Sequence, residues 1–280
     1  MVLPSVHTVV VSTPERTSVG LIGLGAMGLP TARLLAAAGH PTHVYDVDPA
    51  AMASAAGALP VESVVDLAAR CDVVMVMVPT DRDVLDVCGE LTCAARPDTV
   101  VLVCSSVTVD TCRAVAELAA PRGVHVLDAA LTGGVRAAVA GRINLLVGGD
   151  EAVLDRVRPV LAPWTATVHH LGPLGSGQVG KTVHNLCHWG QLSAIVEALR
   201  LGRALGVPPA KLRAAVLDGP AASRTLAEMG LFRLTWYQKD LANAMRMAAG
   251  AGRSLPVADA VRVAMEHITV GDIAGLYAEE

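Results

Sequence analysis

The segment at residues 23–28, GLGAMG, constrains the fold of this chain more than any other part of its sequence. It follows the apolar run Val19–Ile22, which predicts a strand, and it precedes a helical pattern ending near Gly39. Its glycines allow a tight turn, close approach of the backbone to a phosphate, and close helix–strand packing. We therefore predict a dinucleotide-binding turn, and a purely structural turn is the alternative. The residues assigned to the cofactor here are Gly23, Leu24, Gly25, Ala26, Met27 and Gly28.

Asp46 bears on which dinucleotide is bound. It ends a second predicted strand, Thr42–Asp46, and lies 18 residues after Gly28. A carboxylate there can accept hydrogen bonds from the adenosine ribose hydroxyls and would repel a 2′-phosphate. The segment Tyr45–Asp48 offers no arginine for such a phosphate. We predict NAD, with NADP as the alternative, and a simpler interpretation has Asp46 only capping the loop at Pro49.

The rest of the first half alternates apolar runs with helical patterns, which predicts a largely parallel sheet covered on both faces. Further strands are predicted at Asp72–Pro79, Thr99–Cys104, Val124–Asp128, Asn144–Gly148 and Thr167–Leu171. Loops at the carboxyl ends of such strands extend a cofactor site. They add Val78, Pro79, Ser105 and Ser106 as candidate cofactor contacts, although plain turns explain these loops equally well.

The second half has helical patterns only. No strong helix breaker occurs from Gln178 to Leu205, which predicts one long helix. Shorter helices are predicted at Pro209–Leu217, Ala222–Met229, Tyr237–Ala249 and Val257–His267. The expected fold class is therefore α/β, with an N-terminal Rossmann domain (18–174), a long interdomain helix and an all-α C-terminal domain (175–280). Residues 1–17 are expected to form a partly ordered tail without the basic start of a signal peptide.

Composition excludes several classes of function. The net charge of −4 and the lack of a basic stripe argue against nucleic-acid binding. No apolar run approaches the ~20 residues of a membrane span. The cysteines show no C-x-x-C spacing, which favours buried free thiols in a reducing cytoplasm over metal sites or disulfides. They are Cys71, Cys88, Cys93, Cys104, Cys112 and Cys187.

Lysine is rare in this chain, with three lysines against 19 arginines. Lys181 begins a stripe with His184, Asn185 and His188, spaced to share one face of the long helix. Such stripes are usually solvated faces, but this helix is otherwise apolar. A lysine can lose its proton near neutral pH when its pKa is lowered, whereas an arginine cannot. We predict Lys181 as the general acid–base of a hydride-transfer reaction, with Asn185 holding the substrate or orienting the amine.

Thr132, Gly133 and Gly134 follow a predicted strand end. A hydroxyl group and free backbone N–H groups suit a carboxylate, so these residues are a candidate substrate site. A loop without a binding role is an equally good interpretation.

Taken together, these motifs resemble the β-hydroxyacid dehydrogenase family, which includes 3-hydroxyisobutyrate dehydrogenase and tartronate semialdehyde reductase. Gly20–Gly28 looks like its cofactor signature, and Thr132–Gly134 matches its Ser-Gly-Gly substrate loop. Gly175–Asn185 matches its Gly-x-Gly-x-x-x-Lys-x-x-x-Asn catalytic motif, and Lys239–Leu241 matches its C-terminal Lys-Asp-Leu. The four motifs occur in order and cover nearly the whole chain.

The resemblance implies an NAD(P)-dependent oxidoreductase that interconverts a small 3-hydroxy acid and its aldehyde or keto form. Lys181 would be the catalytic lysine, and His184 and Asn185 would help bind the substrate. Residues 132–134 would hold the substrate carboxylate, and Lys239 would reach the nicotinamide end of the cofactor. Such proteins form homodimers or homotetramers through the helical domain, in the cytoplasm and without a metal.

The chain departs from the family pattern at several places. Val103 stands where an aspartate is usual, and about ten residues are missing between Ser223 and Phe232. His184-Asn185 replaces the commoner Asn-Asn and is similar to 6-phosphogluconate dehydrogenases, but those carry a glutamate at the position of His188. Two alternatives stay open. Imine reductases share the architecture but carry Asp or Tyr at the catalytic position, and silent NAD-binding modules lose the lysine.

Overall fold

The computed structural model describes residues 16–278, so residues 1–15 of the expected tail lie outside the described residues. The first half forms an eight-stranded sheet in the order β3-β2-β1-β4-β5-β6-β7-β8. All neighbouring strands are parallel except β6 and β7. The strands are β1 (Val19–Ile22), β2 (Thr42–Tyr45), β3 (Leu59–Pro60), β4 (Val73–Val76), β5 (Val100–Val103), β6 (His125–Thr132), β7 (Ile143–Gly148) and β8 (Thr165–His170).

The helices divide into a group that packs on the sheet and a group that follows it. The first group is α1 (Gly28–Ala37), α2 (Pro49–Ala53), α3 (Val64–Arg70), α4 (Asp81–Ala94), α5 (Val109–Ala119), α6 (Gly134–Val139) and α7 (Glu151–Leu161). The second group is α8 (Ser176–Ala204), α9 (Pro209–Leu217), α10 (Arg224–Ala227), α11 (Tyr237–Gly250), α12 (Pro256–Met265) and α13 (Val270–Tyr277). The predicted architecture of a Rossmann-like sheet, a long helix and a helical C-terminal region is confirmed.

Burial explains why the central strands are continuous apolar runs. Every residue of β1, β4 and β5 is buried, because helices cover both faces of the sheet. The apolar side chains form two separate clusters within this half of the chain. Strand order reverses between β1 and β4, so the loops after these two strands diverge and leave a crevice, where ligands of open α/β sheets bind.

The helix α8 organises the second half. Its 29 residues correspond to a length of about 43 Å. Trp189, Leu192, Val196 and Leu199 form its buried side and pack into a third apolar cluster with residues of α10 to α13. The first turns of α8 instead contact the sheet, so this one helix connects the sheet to the helical region.

Two sequence predictions were wrong in extent, and one helix was not predicted. The predicted strand Val124–Asp128 continues to Thr132, because β7 pairs with it in antiparallel register from Asp128↔Gly148 to Thr132↔Asn144. The predicted helix Ala222–Met229 is reduced to Arg224–Ala227, which starts at the Ser223 cap. The helix α13 was not predicted, although Thr269 and Asp272 form a capping box at its start.

Two further sequence expectations can be compared with the described range. Within residues 16–278, no helix combines the length and apolar character needed to cross a bilayer. Four of the six thiols are buried, but Cys93 and Cys187 are exposed, so the expectation of burial was wrong for these two.

Candidate active site

The glycine turn connects β1 to α1. Gly23 has a φ of +93°, and a Cβ there would collide with the Met77 carbonyl oxygen. A Cβ on Gly28 would collide with the Gly23 carbonyl oxygen. Gly25 is exposed, and no atom lies within 4 Å of the place its Cβ would take, while Leu24 is buried, Met27 half-buried and Ala26 exposed. This open cradle beside the N–H groups at the start of α1 fits a pyrophosphate.

Asp46 follows directly after β2 and is bonded to the glycine turn. Its Oδ2 accepts a hydrogen bond from the Leu24 N–H at 2.6 Å, and its Oδ1 accepts one from the Asp48 N–H at 2.9 Å. Asp48, and not Asp46, caps the helix that begins at Pro49, through the Ala50 N–H. The carboxylate of Asp46 is therefore fixed beside the cradle, and each of its oxygens keeps a lone pair.

The loops after β4 and β5 are tied to each other. The Ser105 hydroxyl accepts a hydrogen bond from the Val78 N–H at 2.8 Å, whereas Ser106 is half-buried and makes no side-chain hydrogen bond to a described residue. Lys239, on α11, donates a hydrogen bond to the Pro79 carbonyl oxygen. A lysine of the helical region thus contacts a loop that the sequence assigns to the cofactor.

The start of α8 is fixed to the sheet by a buried carboxylate. Asp128 of β6 has no exposed surface, and it accepts hydrogen bonds from the Gly175 N–H at 2.6 Å and the Gln178 N–H at 2.7 Å. The Gln178 amide donates to the Ser105 carbonyl oxygen at 2.9 Å and accepts from the Val107 N–H at 3.2 Å. These bonds set the position of the Gly175–Asn185 motif relative to the loop after β5.

The start of α8 packs against β6 and β7, and this contact is called the α8 joint below. It leaves no room for side chains at its glycines. A Cβ on Gly177 would collide with the Leu146 carbonyl oxygen, and a Cβ on Gly148 would collide with the Asp128 carboxylate. Gly175 has a φ of +96°, a conformation that favours glycine. The glycines of the motif therefore have a packing role that is independent of any ligand.

Lys181 lies one turn along α8 from this joint and is only partly exposed. Burial lowers its pKa, and the nearby Asp240 carboxylate opposes that shift. Asp240 accepts a hydrogen bond from the Trp189 indole N–H at 3.1 Å, and burial raises its pKa. No described residue accepts a hydrogen bond from the Lys181 Nζ, so the amine is available to a ligand.

The remaining members of the predicted stripe differ in burial. Asn185 is 5% exposed, whereas His188 is half-buried and His184 is exposed. The His188 Nδ1 lies 3.1 Å from the Thr225 hydroxyl, and its ring meets the edge of Phe232 at 4.7 Å between centroids. Burial lowers the pKa of both histidines to about 4, with a contribution from the Lys181 charge.

Thr132 ends β6 and its hydroxyl donates to the Asn144 carbonyl oxygen at 3.3 Å. Gly133 and Gly134 follow with φ values of +110° and +69°, and α6 begins at Gly134. A Cβ on Gly134 would meet nothing within 4 Å. A Cβ on Gly133 would instead collide with the Ala137 side chain, so the open space lies at Gly134, while the Thr132 hydroxyl is directed to the neighbouring strand.

The predicted site residues of the first half follow the carboxyl ends of β1, β2, β4, β5 and β6 and so lie along one edge of the sheet. The others lie on helices: Lys181, His184 and Asn185 on α8, and Lys239 on α11, where it contacts the Pro79 loop.

Sequence reasoning missed the roles of four side chains. Gln178 and Asp240 lay inside motifs quoted from the sequence, which was the available signal for them. Asp128 and Trp189 lay outside those motifs, and only the fold shows what they contact. Among residues 16–278, no group of three or more His, Cys, Asp or Glu side chains is placed to hold a metal ion.

Two protein-family models match this chain, one in the sheet half and one in the helical half. Residues 18–172 match the NAD-binding domain of 6-phosphogluconate dehydrogenase. Residues 175–272 match the domain described as the NAD-binding region of NADP-dependent 3-hydroxyisobutyrate dehydrogenase. The first match alone covers more than half of the chain.

Individual relatives agree with these matches. The chain is 38% identical over 193 residues to a probable 3-hydroxyisobutyrate dehydrogenase of Mycobacterium tuberculosis, covering 68% of this chain and 66% of that protein's length. It is 33% identical over 255 residues to the 2-hydroxy-3-oxopropionate reductase of Escherichia coli, covering 85% and 86%. The solved structure of Mycobacterium tuberculosis 3-hydroxyisobutyrate dehydrogenase with L-serine superposes with a TM-score of 0.85 at 30% identity, covering 94% of this chain and 100% of that chain.

Proposed function

The chain belongs to the β-hydroxyacid dehydrogenase family, and from this membership we propose that it interconverts a small 3-hydroxy acid and its aldehyde or keto form with NAD. Lys181 is the general acid–base of the proposed reaction. Asn185 and residues 132–134 hold the substrate. The protein would act on a carboxylate-bearing molecule of a few carbon atoms.

The main support for this proposal is the environment of the Lys181 amine, which is partly buried and close to Asp240. Burial lowers its pKa, and Asp240 limits that effect because a carboxylate favours the charged ammonium. A lysine in this setting can exchange its proton near neutral pH more readily than an exposed lysine. Asp240, the carboxylate that acts on this amine, lies on the helix whose Lys239 contacts the Pro79 loop.

The nicotinamide ring supplies the hydride acceptor or donor when the cofactor is bound. In the oxidation, the neutral Lys181 amine takes the proton of the substrate hydroxyl as the C–H bond breaks. In the reduction, the Lys181 ammonium returns a proton to the carbonyl oxygen. We assign to the buried Asn185 amide, one turn from Lys181, the task of holding the substrate or orienting the amine.

The substrate carboxylate is assigned to the Gly133 and Gly134 backbone. Both glycines have positive φ values at the turn where α6 begins, and backbone N–H groups at a turn and a helix start can bind an anion. The Thr132 hydroxyl donates its proton to the Asn144 carbonyl oxygen, so it has no proton left to donate to the substrate carboxylate. The assignment therefore rests on the two glycine N–H groups more than on the threonine.

The decisive experiment assays the purified chain with small 3-hydroxy acids and their aldehydes, each with NAD and NADP, and includes a cyclic imine as the rival substrate class. We expect turnover of at least one hydroxy acid and none of the imine. Imine turnover alone would replace the proposal with an imine reductase. NAD binding without turnover of any substrate would favour a silent module.

We propose NAD as the preferred cofactor because of Asp46. Replacing Asp46 with Ala is expected to lower kcat/KM with NAD about 10- to 100-fold, since a hydrogen bond to a charged group contributes about 1.5–3 kcal/mol. The value with NADP should stay the same or rise, because the charge that repels a 2′-phosphate is gone.

Asp48→Ala is the matched control for Asp46. It removes a neighbouring carboxylate that caps α2 and makes no bond to the glycine turn. Parallel initial-rate assays with both cofactors give the comparison. An equal loss with NAD and NADP in Asp46→Ala would show that Asp46 only supports the turn, through the Leu24 N–H.

We also propose that the chain forms a homodimer or homotetramer through the helical region. Val179 and Val183 are exposed on the side of α8 opposite Lys181, and Val257 of α12 is 74% exposed. Exposed apolar side chains on two helices of this region favour burial against a second copy. Light scattering on the purified chain measures the mass, and a monomer at all concentrations would contradict the proposal.

A further inference from the structure

The helix α11 is connected to the sheet half by two cationic side chains. Lys239 donates a hydrogen bond to the Pro79 carbonyl oxygen, and the Arg246 Nη2 donates one to the Asp81 Oδ2 at 3.3 Å. The two cations are seven residues apart, so they share one face of the helix and lie about 10.5 Å apart along its axis. Among residues 16–278, they make the only side-chain hydrogen bonds between the sheet half and the helices that follow α8.

The buried apolar cluster that holds α11 in place belongs to the helical region. It joins Leu241 of α11 to side chains of α8, α10, α12 and α13, and of the described residues it includes none from the sheet half. Hydrogen bonds and ion pairs of exposed side chains break at lower cost than buried apolar packing, because water replaces them. The position of α11 over the loop after β4 therefore depends on its two polar contacts.

Asp81, the acceptor of the Arg246 bond, also ties the two loops after β4 and β5 together. It is the first residue of α4, and its Oδ1 accepts the Thr108 N–H at 3.0 Å, the Thr108 hydroxyl at 3.0 Å and the Thr111 hydroxyl at 2.7 Å. Burial raises the pKa of Asp81, but these bonds and the Arg246 charge outweigh that effect and lower the pKa overall. The carboxylate is therefore charged near neutral pH.

The Arg246 guanidinium is held in place by its own helix. Its Nη2 donates a second hydrogen bond, at 2.6 Å, to the Oδ1 of Asn243, which lies one turn earlier on α11 and is 5% exposed. The ion pair with Asp81 is partly open to water, because the Arg246 side chain is 56% exposed and that of Asp81 is 24% exposed. The pair is thus oriented before it closes, and its strength depends on the salt concentration.

We propose that Arg246 is a positioning residue whose ion pair with Asp81 holds α11 against the cofactor loops, and with it Lys239 against Pro79, in the conformation that binds NAD. The inference rests on the proposed function in taking NAD as the ligand. When only a fraction of the molecules has the conformation that binds, the apparent affinity falls by that fraction. Loss of the ion pair should therefore weaken NAD binding although Arg246 need not contact NAD.

The first test is a calorimetric titration of the purified chain with NAD, without any substrate. Arg246→Ala should raise the dissociation constant about 2- to 5-fold at low salt, the effect expected of a partly exposed ion pair. In about 1 M sodium chloride the ratio between variant and wild type should fall towards one, because the pair is then screened. Arg246→Lys should recover part of the affinity, since it keeps the charge but loses the planar guanidinium.

The second test needs no cofactor and measures amide hydrogen exchange of the free protein by mass spectrometry. Arg246→Ala should speed up exchange in residues 80–84 and in residues 237–250 together, because the ion pair joins these two segments. A change in the stability of α11 alone would speed up exchange only in the second segment. Asp81→Asn removes the charge, and combining it with Arg246→Ala should weaken NAD binding no further than the weaker of the single variants.

Arg200→Ala is the matched control. Arg200 forms an ion pair with Asp272 at 3.0 Å that joins α8 to α13 within the helical region, and both side chains are partly exposed. This change should leave the NAD dissociation constant and the exchange of residues 80–84 unchanged, even where it lowers the unfolding midpoint.

The outcomes separate this inference from the proposed function. An unchanged NAD affinity in Arg246→Ala would overturn the role of the ion pair, and so would an equal loss at low and high salt. Either result would leave the proposed function intact, because turnover of hydroxy acids is measured independently. Failure of the wild-type protein to bind NAD would overturn the proposed use of NAD together with this inference.

Discussion

Replacing Lys181 with Ala is expected to lower kcat about 10²- to 10⁴-fold, the usual contribution of a positioned general acid–base. The dissociation constant for NAD should stay within about two-fold of the wild-type value, because the cradle at Gly25 and the Asp46 carboxylate lie outside α8. Steady-state rates and a fluorescence titration of the cofactor measure the two quantities. Turnover at more than about a tenth of the wild-type rate would contradict the mechanism.

Lys211→Ala is the matched control, because Lys211 is an exposed lysine of α9 and should tolerate the same change. The pH profile gives a second readout. Oxidation needs the neutral amine, so its kcat/KM should rise with pH as Lys181 loses its proton. The lowered pKa places that rise below the ordinary lysine value of 10.5, and the reverse reaction should decline over the same range. Lys181→Ala should lack this inflection.

Replacing Asp128 with Ala is expected to give the largest loss of stability among the substitutions considered, about 3–5 kcal/mol in the free energy of unfolding. The change leaves the Gly175 and Gln178 N–H groups buried without acceptors. It also removes the bonds that hold α8 against β6. Urea unfolding followed by circular dichroism measures the difference.

Asp150→Ala provides the comparison for Asp128. Asp150 also accepts two N–H groups at a helix start, from Ala152 and Val153, but it is exposed. Water can replace its bonds, so a loss of only about 0.5–2 kcal/mol is expected. Equal losses in the two variants would show that the burial of Asp128 adds nothing to the stability of the joint.

The cofactor side of the site could be predicted from the sequence because its determinants are local. A strand, three glycines and a helix follow one another within a few residues, and the Asp46 carboxylate lies at the end of the next strand. Gly23 and Gly28 have a conformational or a packing reason in the structure, whereas Gly25 borders open space. The long helix could also be predicted, since no breaker interrupts its pattern.

The remaining features depend on contacts between distant segments. Asp128 precedes Gly175 by 47 residues, and nothing in the local sequence distinguishes its carboxylate from that of a strand-end aspartate. The extension of β6 to Thr132 requires β7 to run antiparallel, which an apolar run of six residues does not indicate. The Thr225 and Phe232 contacts of His188 join three separate segments.

The close packing at the α8 joint restricts which residues of this chain can be replaced during evolution. At Gly148 and Gly177 even the smallest side chain would displace a carbonyl oxygen or the Asp128 carboxylate, so these positions cannot drift by single substitutions. His184, further along the same helix, is exposed, so this position can change without disturbing the joint, which keeps the start of α8 in place against the sheet.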